Sequence, residues 1–422
     1  MHKLVFFTLI SASCFSQPLS WQSAVQETEK NNSELQSMIH KLNSADATVN
    51  SQYSNFLPTL TGTLGYTYGS STTNQGSTTA FDSGSDATSR YTAQLTATEN
   101  LFSGFQDAAK ISQQKSIRQG IAATLTASKA KISYDLKSAF ASAFYAQQSV
   151  SLSQSVSERR HQNLRLVELR YSSGRENKGS VLLSKAYYEQ AKLDVMISTN
   201  STGTSKLALA KVLGRDTWDN LEIEGKPPLN AKPKENLPLR KIIETSPAYL
   251  QAVADEEASE SAIVVARSGF FPSLNLSAST TNSATTFFPS NNRWSIGASL
   301  SFPFFSGGRD YFATRSAIES SKAAQLTRAN ILRDGISKLG KSYTDLEEAI
   351  QKLEVDKAFE AAAQIRAKIA REKYNNGLMT FEDWDIIETD LINRQKSLLQ
   401  SERDSTIAEA NWEQIQGKGV FQ

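Results

Sequence analysis

The chain repeats itself in register. Asn55-Phe56-Leu57-Pro58-Thr59-Leu60 returns 214 residues later as Gly269-Phe270-Phe271-Pro272-Ser273-Leu274, and Asn32-Ser33-Glu34-Leu35 aligns with Ser246-Pro247-Ala248-Tyr249 at the same offset. Leu101-Phe102-Ser103-Gly104 returns 203 residues later as Phe304-Phe305-Ser306-Gly307, and Arg170-Tyr171-Ser172-Ser173-Gly174 as Lys373-Tyr374-Asn375-Asn376-Gly377. The offset drops by eleven once, between Pro58 and Phe102, so one copy carries a loop eleven residues longer. Four matches in one order with one indel mark a duplicated unit of roughly 200 residues. Whatever one half folds into, the other must fold into as well.

Proline placement sets the longest elements. Of ten prolines, none falls between Pro58 and Pro227 and none follows Pro303. Proline interrupts helices, so two very long stretches are free to be helical. Residues 106–171 and 309–374 each read as one helix, about 99 Å long at 1.5 Å per residue. Ile117, Ile121, Leu125, Ile132, Leu136, Phe140 and Phe144 recur at fours and sevens, the spacing of one helix face. Ala and Ser on the flanks allow close neighbours on two sides. Return helices follow at 180–212 and 381–416, about half as long, and helical stretches at Trp21 to Ser54 and Leu239 to Ser268 are the right size to cover the remainder.

Between each leading helix and each long helix lie two alternating segments. Leu60, Leu64, Tyr66 and Tyr68 oppose Thr59, Thr61, Thr63 and Thr67. Tyr91, Ala93, Leu95, Ala97 and Leu101 oppose Thr92, Gln94, Thr96 and Thr98. Leu274, Leu276 and Ala278 oppose Ser273, Asn275, Ser277 and Ser279, and Trp294, Ile296, Ala298, Leu300 and Phe302 oppose Ser295, Gly297, Ser299 and Ser301. Period-two alternation predicts strands, at about 56–68, 91–102, 271–281 and 293–305, with one apolar and one polar face. Their length suits a tilted strand that crosses a bilayer. A soluble sheet packed against helices is the alternative. Four such strands leave two open edges, which cannot stand in lipid, so a membrane sheet requires copies of the chain to share one barrel. One hairpin tip, Gly69 to Ser89, holds eleven Ser/Thr in 21 residues with no Lys or Arg and reads as a solvated loop; the other, Ala284 to Asn292, is short.

Composition closes off other chemistries. With 45 Lys+Arg against 43 Asp+Glu, the chain has neither a basic field for nucleic acid nor an acidic tail. Cys14 is the only cysteine, and His2, His40 and His161 are the only histidines, so no Cys/His metal cluster, nucleophile pair or disulfide framework can form. No enzyme, cofactor or metal site is expected. The N-terminus reads as an export signal over 1–16: His2-Lys3, apolar Leu4 to Ile10, then a small-residue exit. Either ordinary cleavage near Ser13 to Ser16 or lipidation of Cys14 fits it. No run of eighteen apolar residues occurs, so no membrane-spanning helix is expected.

With this order of elements the chain resembles the outer-membrane efflux proteins, the TolC-like exit ducts. The resemblance covers nearly the whole chain. It rests on the duplicated order and on the Leu-Pro-Thr-Leu and Phe-Pro-Ser-Leu strand starts. The Leu-Phe-Ser-Gly and Phe-Phe-Ser-Gly strand exits and the Tyr-x-x-Gly turns carry it too. It implies a mainly α fold with a β-barrel part: long antiparallel helices in a periplasmic α-barrel, and four strands per protomer in a shared twelve-stranded transmembrane barrel. The layout is then a first repeat at 17–224, a proline-rich linker at 225–238, a second repeat at 239–416 and a tail at 417–422.

The resemblance also implies a homotrimer in the outer membrane. It would be the exit duct of a tripartite efflux pump or type I secretion system, working with a periplasmic adaptor and an inner-membrane pump of the RND or ABC type. Leu95, Leu276, Ile296 and Leu300 should face lipid. The family closes its tunnel with a ring of carboxylates, and Asp383, six residues after Gly377, matches the first. The second falls at Ile386, a departure from the pattern, with Asp385 or Glu382 as possible substitutes. The alternative is that these acids only complement a helix N-terminus. The turns Gly174-Arg175 and Gly377-Leu378 match the family's adaptor-contacting tips, although Arg175 stands where Leu is common, and ordinary turn chemistry would also account for both. The competing function is a structural or adhesive coiled-coil envelope protein.

Overall fold

The computed structural model describes residues 18–69, 88–218, 221–230, 237–287 and 290–421. The signal-like segment 1–16 with Cys14, most of the Ser/Thr-rich loop after Gly69, Phe288-Pro289, part of the linker and Gln422 lie outside the described residues.

The fold is mainly helical with four antiparallel strands, and each half has the same order. The first half runs α1 (Trp21–Asn31), α2 (Ser33–Tyr53), β1 (Thr59–Gly69), β2 (Thr88–Phe102), α3 (Gln106–Ser172) and α4 (Lys178–Leu213). The second runs α5 (Leu239–Glu244), α6 (Pro247–Arg267), β3 (Ser273–Ala284), β4 (Asn291–Ser301), α7 (Arg309–Asn375) and α8 (Phe381–Ile415). The two long helices are 67 residues each. Neither leading stretch is one helix. In the first, Asn32 breaks the run: its side-chain carbonyl accepts from the Leu35 N–H at 2.9 Å, and its amide donates to the Val212 carbonyl at 2.8 Å. In the second, Pro247 opens α6 at the position where a missing N–H costs nothing.

The strands differ at their ends from the alternation. Phe56 belongs to a 3₁₀ turn, Ser54–Phe56, matched by Ser268–Phe270 in the second half. Phe302 to Phe305 lie beyond β4, because Pro303 has no N–H to give a ladder. A bulge between Asn100 and Phe102 makes Leu101 the extra residue, so Phe102 rather than Leu101 pairs with Leu274.

Two compact units form, each from discontinuous segments. The sheet unit comprises 41–123 and 250–331. Its four strands run in the order β1-β2-β3-β4, every pair antiparallel. Register aligns whole rows: Leu60, Ala97, Ala278 and Ile296 form one, and Thr59, Thr98, Ser277 and Gly297 the next. Directly paired residues share a face, so alternate rows separate an apolar face from a hydroxyl face. Thr59 and Thr98 are bonded at 2.7 Å and Ser279 and Ser295 at 3.0 Å on the hydroxyl face.

The helical unit comprises the described residues among those up to 40, 124–249 and from 332 onward. Its core joins Leu35, Ile132, Leu136, Phe140, Leu209 and Leu213, with Trp21 edge-on to Phe140 at 5.4 Å. Leu19 pairs with Ile223 in a short parallel bridge, and Phe421 closes the same core. Lys137 lies 2.6 Å from Glu409, both side chains buried, and Glu409 also accepts from the Asn230 N–H at 2.6 Å. This contact ties the inter-repeat linker to α3 and α8.

Candidate functional site

The two long helices end in the same turn. At the end of α3, Gly174 has φ 72°, its N–H donates to the Tyr171 carbonyl at 3.0 Å, and the Arg175 N–H donates to Arg170 at 2.8 Å. At the end of α7, Gly377 has φ 73°, with Gly377 to Tyr374 at 3.0 Å and Leu378 to Lys373 at 2.9 Å. The left-handed residue is glycine in both because a Cβ disfavours that backbone region. Arg175 and Leu378 are both exposed. The next helices are capped alike: Asn177 accepts from the Ser180 N–H, and Thr380 from the Asp383 N–H. Asp383 is therefore the second-repeat counterpart of Ser180, and only the second turn carries an acid at this position.

The three acids of this segment have different surroundings. Asp383 is exposed; its N–H donates to the Thr380 hydroxyl at 3.1 Å, and that hydroxyl donates back to the carboxylate at 2.9 Å. The carboxylate thus reinforces the Thr380 N-cap through its hydroxyl, where a capping box would use the N-cap backbone N–H. Glu382 is exposed beside it. Asp385 is 8% exposed and bonded to the Arg160 guanidinium at 2.6 Å. Arg160 also donates to Thr389 at 2.8 Å and stacks on Tyr187 at 4.6 Å. Burial, then the hydrogen bond to Asp385, push the Tyr187 phenol above its ordinary value. Asp385 thus faces the packed interior. Ile386, where the family's second acid falls, is 64% exposed, three residues after Asp383.

A clamp joins the two turns. Tyr374 is fully buried and stacks on Trp384 at 4.4 Å and 11°. Arg170 lies over the Tyr374 ring at 4.6 Å and donates to the Tyr374 carbonyl at 2.6 Å. The Tyr374 hydroxyl donates to Glu176 of the first turn at 3.1 Å. Burial, then Glu176, hold this phenol above its ordinary value. Neither Arg160 nor the Glu176–Tyr374 contact is legible in the sequence. The partners stand 225 and 198 residues apart, and nothing local pairs them. The Tyr374, Phe381 and Trp384 aromatics flanking the turn were the available signal.

In the sheet, Leu95, Leu276, Ile296 and Leu300 fall on one face. Leu95 pairs with Gly62 and Thr280, Leu276 with Ala298, Ile296 with Ala278, and Leu300 with Leu274. Among the described residues no cluster of His, Cys, Asp and Glu could hold a metal ion, and no helix is long and apolar enough to cross a membrane.

The comparisons with known proteins agree with this architecture. The family model for the outer membrane efflux protein matches residues 24–215 and 239–418. No curated protein matches the chain by sequence. Among solved structures, the fold is similar to the Vibrio cholerae outer membrane protein VceC, at 19% identity over 94% of this chain and 96% of that one, TM-score 0.81. It is similar to the Campylobacter jejuni CmeC outer membrane channel at 15% identity over 95% and 86%, TM-score 0.82. It is also similar to the open state of the Neisseria gonorrhoeae MtrE outer membrane channel at 17% identity over 94% and 89%, TM-score 0.78. With both repeats matched by the family model and four antiparallel strands on a duplicated set of long helices, the chain belongs to the outer membrane efflux protein family, the TolC-like channels: a non-enzymatic outer membrane efflux protein with a periplasmic helical extension.

Proposed function

We propose that three copies of this chain share one twelve-stranded barrel. The assembly acts as the exit duct of a tripartite efflux pump or a type I secretion system, fed by an inner-membrane transporter of the RND or ABC type through a periplasmic adaptor. One observation carries the shared barrel: β1 and β4, each 11 residues long, have no partner on their outer edges among the described residues. In hydrocarbon each unpaired backbone group costs several kcal/mol, so the edges need each other. A four-strand antiparallel meander ends in opposite directions, and β4 of one copy can therefore continue antiparallel into β1 of the next. The number three comes from the family.

On this reading Leu95, Leu276, Ile296 and Leu300 face lipid, and Asp383 forms a carboxylate ring at the periplasmic end. Asp385, bonded to Arg160, does not add a second ring, and Glu382 lies beside the first. The exposed turns Gly174-Arg175 and Gly377-Leu378 meet the adaptor. Segment 1–16 directs export, and 225–238 joins the repeats. A coiled-coil adhesin would leave the strands without a role.

The test is a membrane-fraction gel together with planar-bilayer recording. An unboiled band at three chain masses that collapses to one on boiling, with stepwise conductance, is expected. A monomeric band with no conductance overturns the shared barrel.

A further inference from the structure

The four strands carry three charged residues: Arg90, Glu99 and Arg293. Their distribution between the faces is not even. Thr63, Gln94, Thr281 and Arg293 form one row across the sheet, on the hydroxyl face. Arg90 pairs with Thr67 and stands four residues before Gln94 on β2, so it lies on the same face, about 13 Å further toward the hairpin tips. Glu99 pairs with Leu276, on the apolar face and toward the opposite end. The hydroxyl face therefore bears two cations and no carboxylate. Both arginines are exposed, and neither is in an ion pair among the described residues.

We propose that Arg90 and Arg293 make the outward half of the barrel lumen an anion-attracting stretch, and that they set a preference for multivalent acidic solutes such as polycarboxylates. This inference rests on the shared-barrel reading, in which the hydroxyl face lines the lumen. Three copies place six guanidinium groups in two tiers. Guanidinium stays charged at every physiological pH, and its fork matches a carboxylate with two hydrogen bonds. Low-dielectric walls focus the field of such rings into the pore, and rings of Arg or Lys select anions. Between the tiers, Thr92 and its neighbours offer neutral hydroxyl contacts, so a polyanion passing outward meets cations at intervals rather than one trapping site.

The experiment uses the full-length trimer in planar bilayers of neutral phospholipid, with citrate added on the hairpin-tip side. In the unmodified protein citrate interrupts the current, less often as salt is raised. In the Arg90→Gln/Arg293→Gln double variant the rate of interruption falls roughly tenfold or more, and the reversal potential in a KCl gradient moves toward cation preference. The Arg90→Lys/Arg293→Lys variant keeps most of both effects. An unboiled trimer band confirms that each variant assembles. Equal citrate response and unchanged reversal potential in the Gln variant overturn the proposal. An effect of the arginines that appears only when anionic lipid is present also overturns it, and assigns them to lipid phosphate. Absence of any conductance in the unmodified protein instead removes the shared barrel, and the proposal falls with it.

Discussion

Asp383 and Asp385 stand two positions apart and meet opposite fates. A helix turns about 100° per residue, so one acid looks outward and the other into the packing. Arg160→Ala leaves Asp385 buried without its cation, which costs about 3–5 kcal/mol. The expected result is a trimer that dissociates at a lower temperature on a heated gel series. Asp383→Asn keeps the Thr380 cap at its backbone N–H and should melt with the unmodified protein. It should instead lose the current block by trivalent cations added from the periplasmic side. Unchanged block in Asp383→Asn, with loss in Asp385→Asn, would move the ring to Asp385. The sequence offered the six-residue spacing from Gly377 to Asp383, and that nominated the outward acid. It could not show that Arg160 occupies Asp385, because the two meet only when α3 and α8 pack.

Strands and helices were legible to different depths. Alternation located all four strands, since each side chain on a pleated ribbon must face one of two environments. Their ends were hidden: Pro303 stops β4 early, and the bulge at Leu101 shifts the face of Phe102. The long helices were legible because nothing in them breaks a helix. The interruption at Asn32 was not, since it depends on the Val212 carbonyl from α4. The faces make a direct prediction. Ile296 lies on the apolar face and Ser299 on the hydroxyl face, in the same strand. An arginine on a lipid face at the bilayer midplane costs about 2–4 kcal/mol. Ile296→Arg should reduce assembled trimer in the outer-membrane fraction, whereas Ser299→Arg should leave it intact and lower single-channel conductance. Equal tolerance of both would reject the assignment of faces.

At the scale of the whole molecule the duplication was plain in the sequence, but the units were not. Each unit gathers segments from both repeats, so neither repeat is a unit by itself. Residues 225–238 stand out in the sequence by their prolines. The docking of Asn230 does not, because it rests on buried Glu409, held between Lys137 and the Asn230 N–H. Removing one partner of a buried ion pair costs more than replacing both with apolar groups. Lys137→Met should therefore destabilise by about 3–5 kcal/mol, read as a lower trimer melting temperature and faster proteolysis between 225 and 238. Melting and cleavage unchanged from the native protein would show that the linker is held by other contacts.

The twin turns at Gly174 and Gly377 give the proposed trimer two symmetries at once. Their backbones superpose in kind, hydrogen bond for hydrogen bond, so three chains present six equivalent main-chain shapes around the axis. Their side chains do not: Arg175 alternates with Leu378, and Ser180 with Asp383. The rim of the proposed trimer would thus be sixfold to anything that recognises only its main chain and threefold to anything that senses charge. If Asp383 closes the proposed trimer, a duplicated chain would present a ring of even contacts to its surroundings while its gate had only three members.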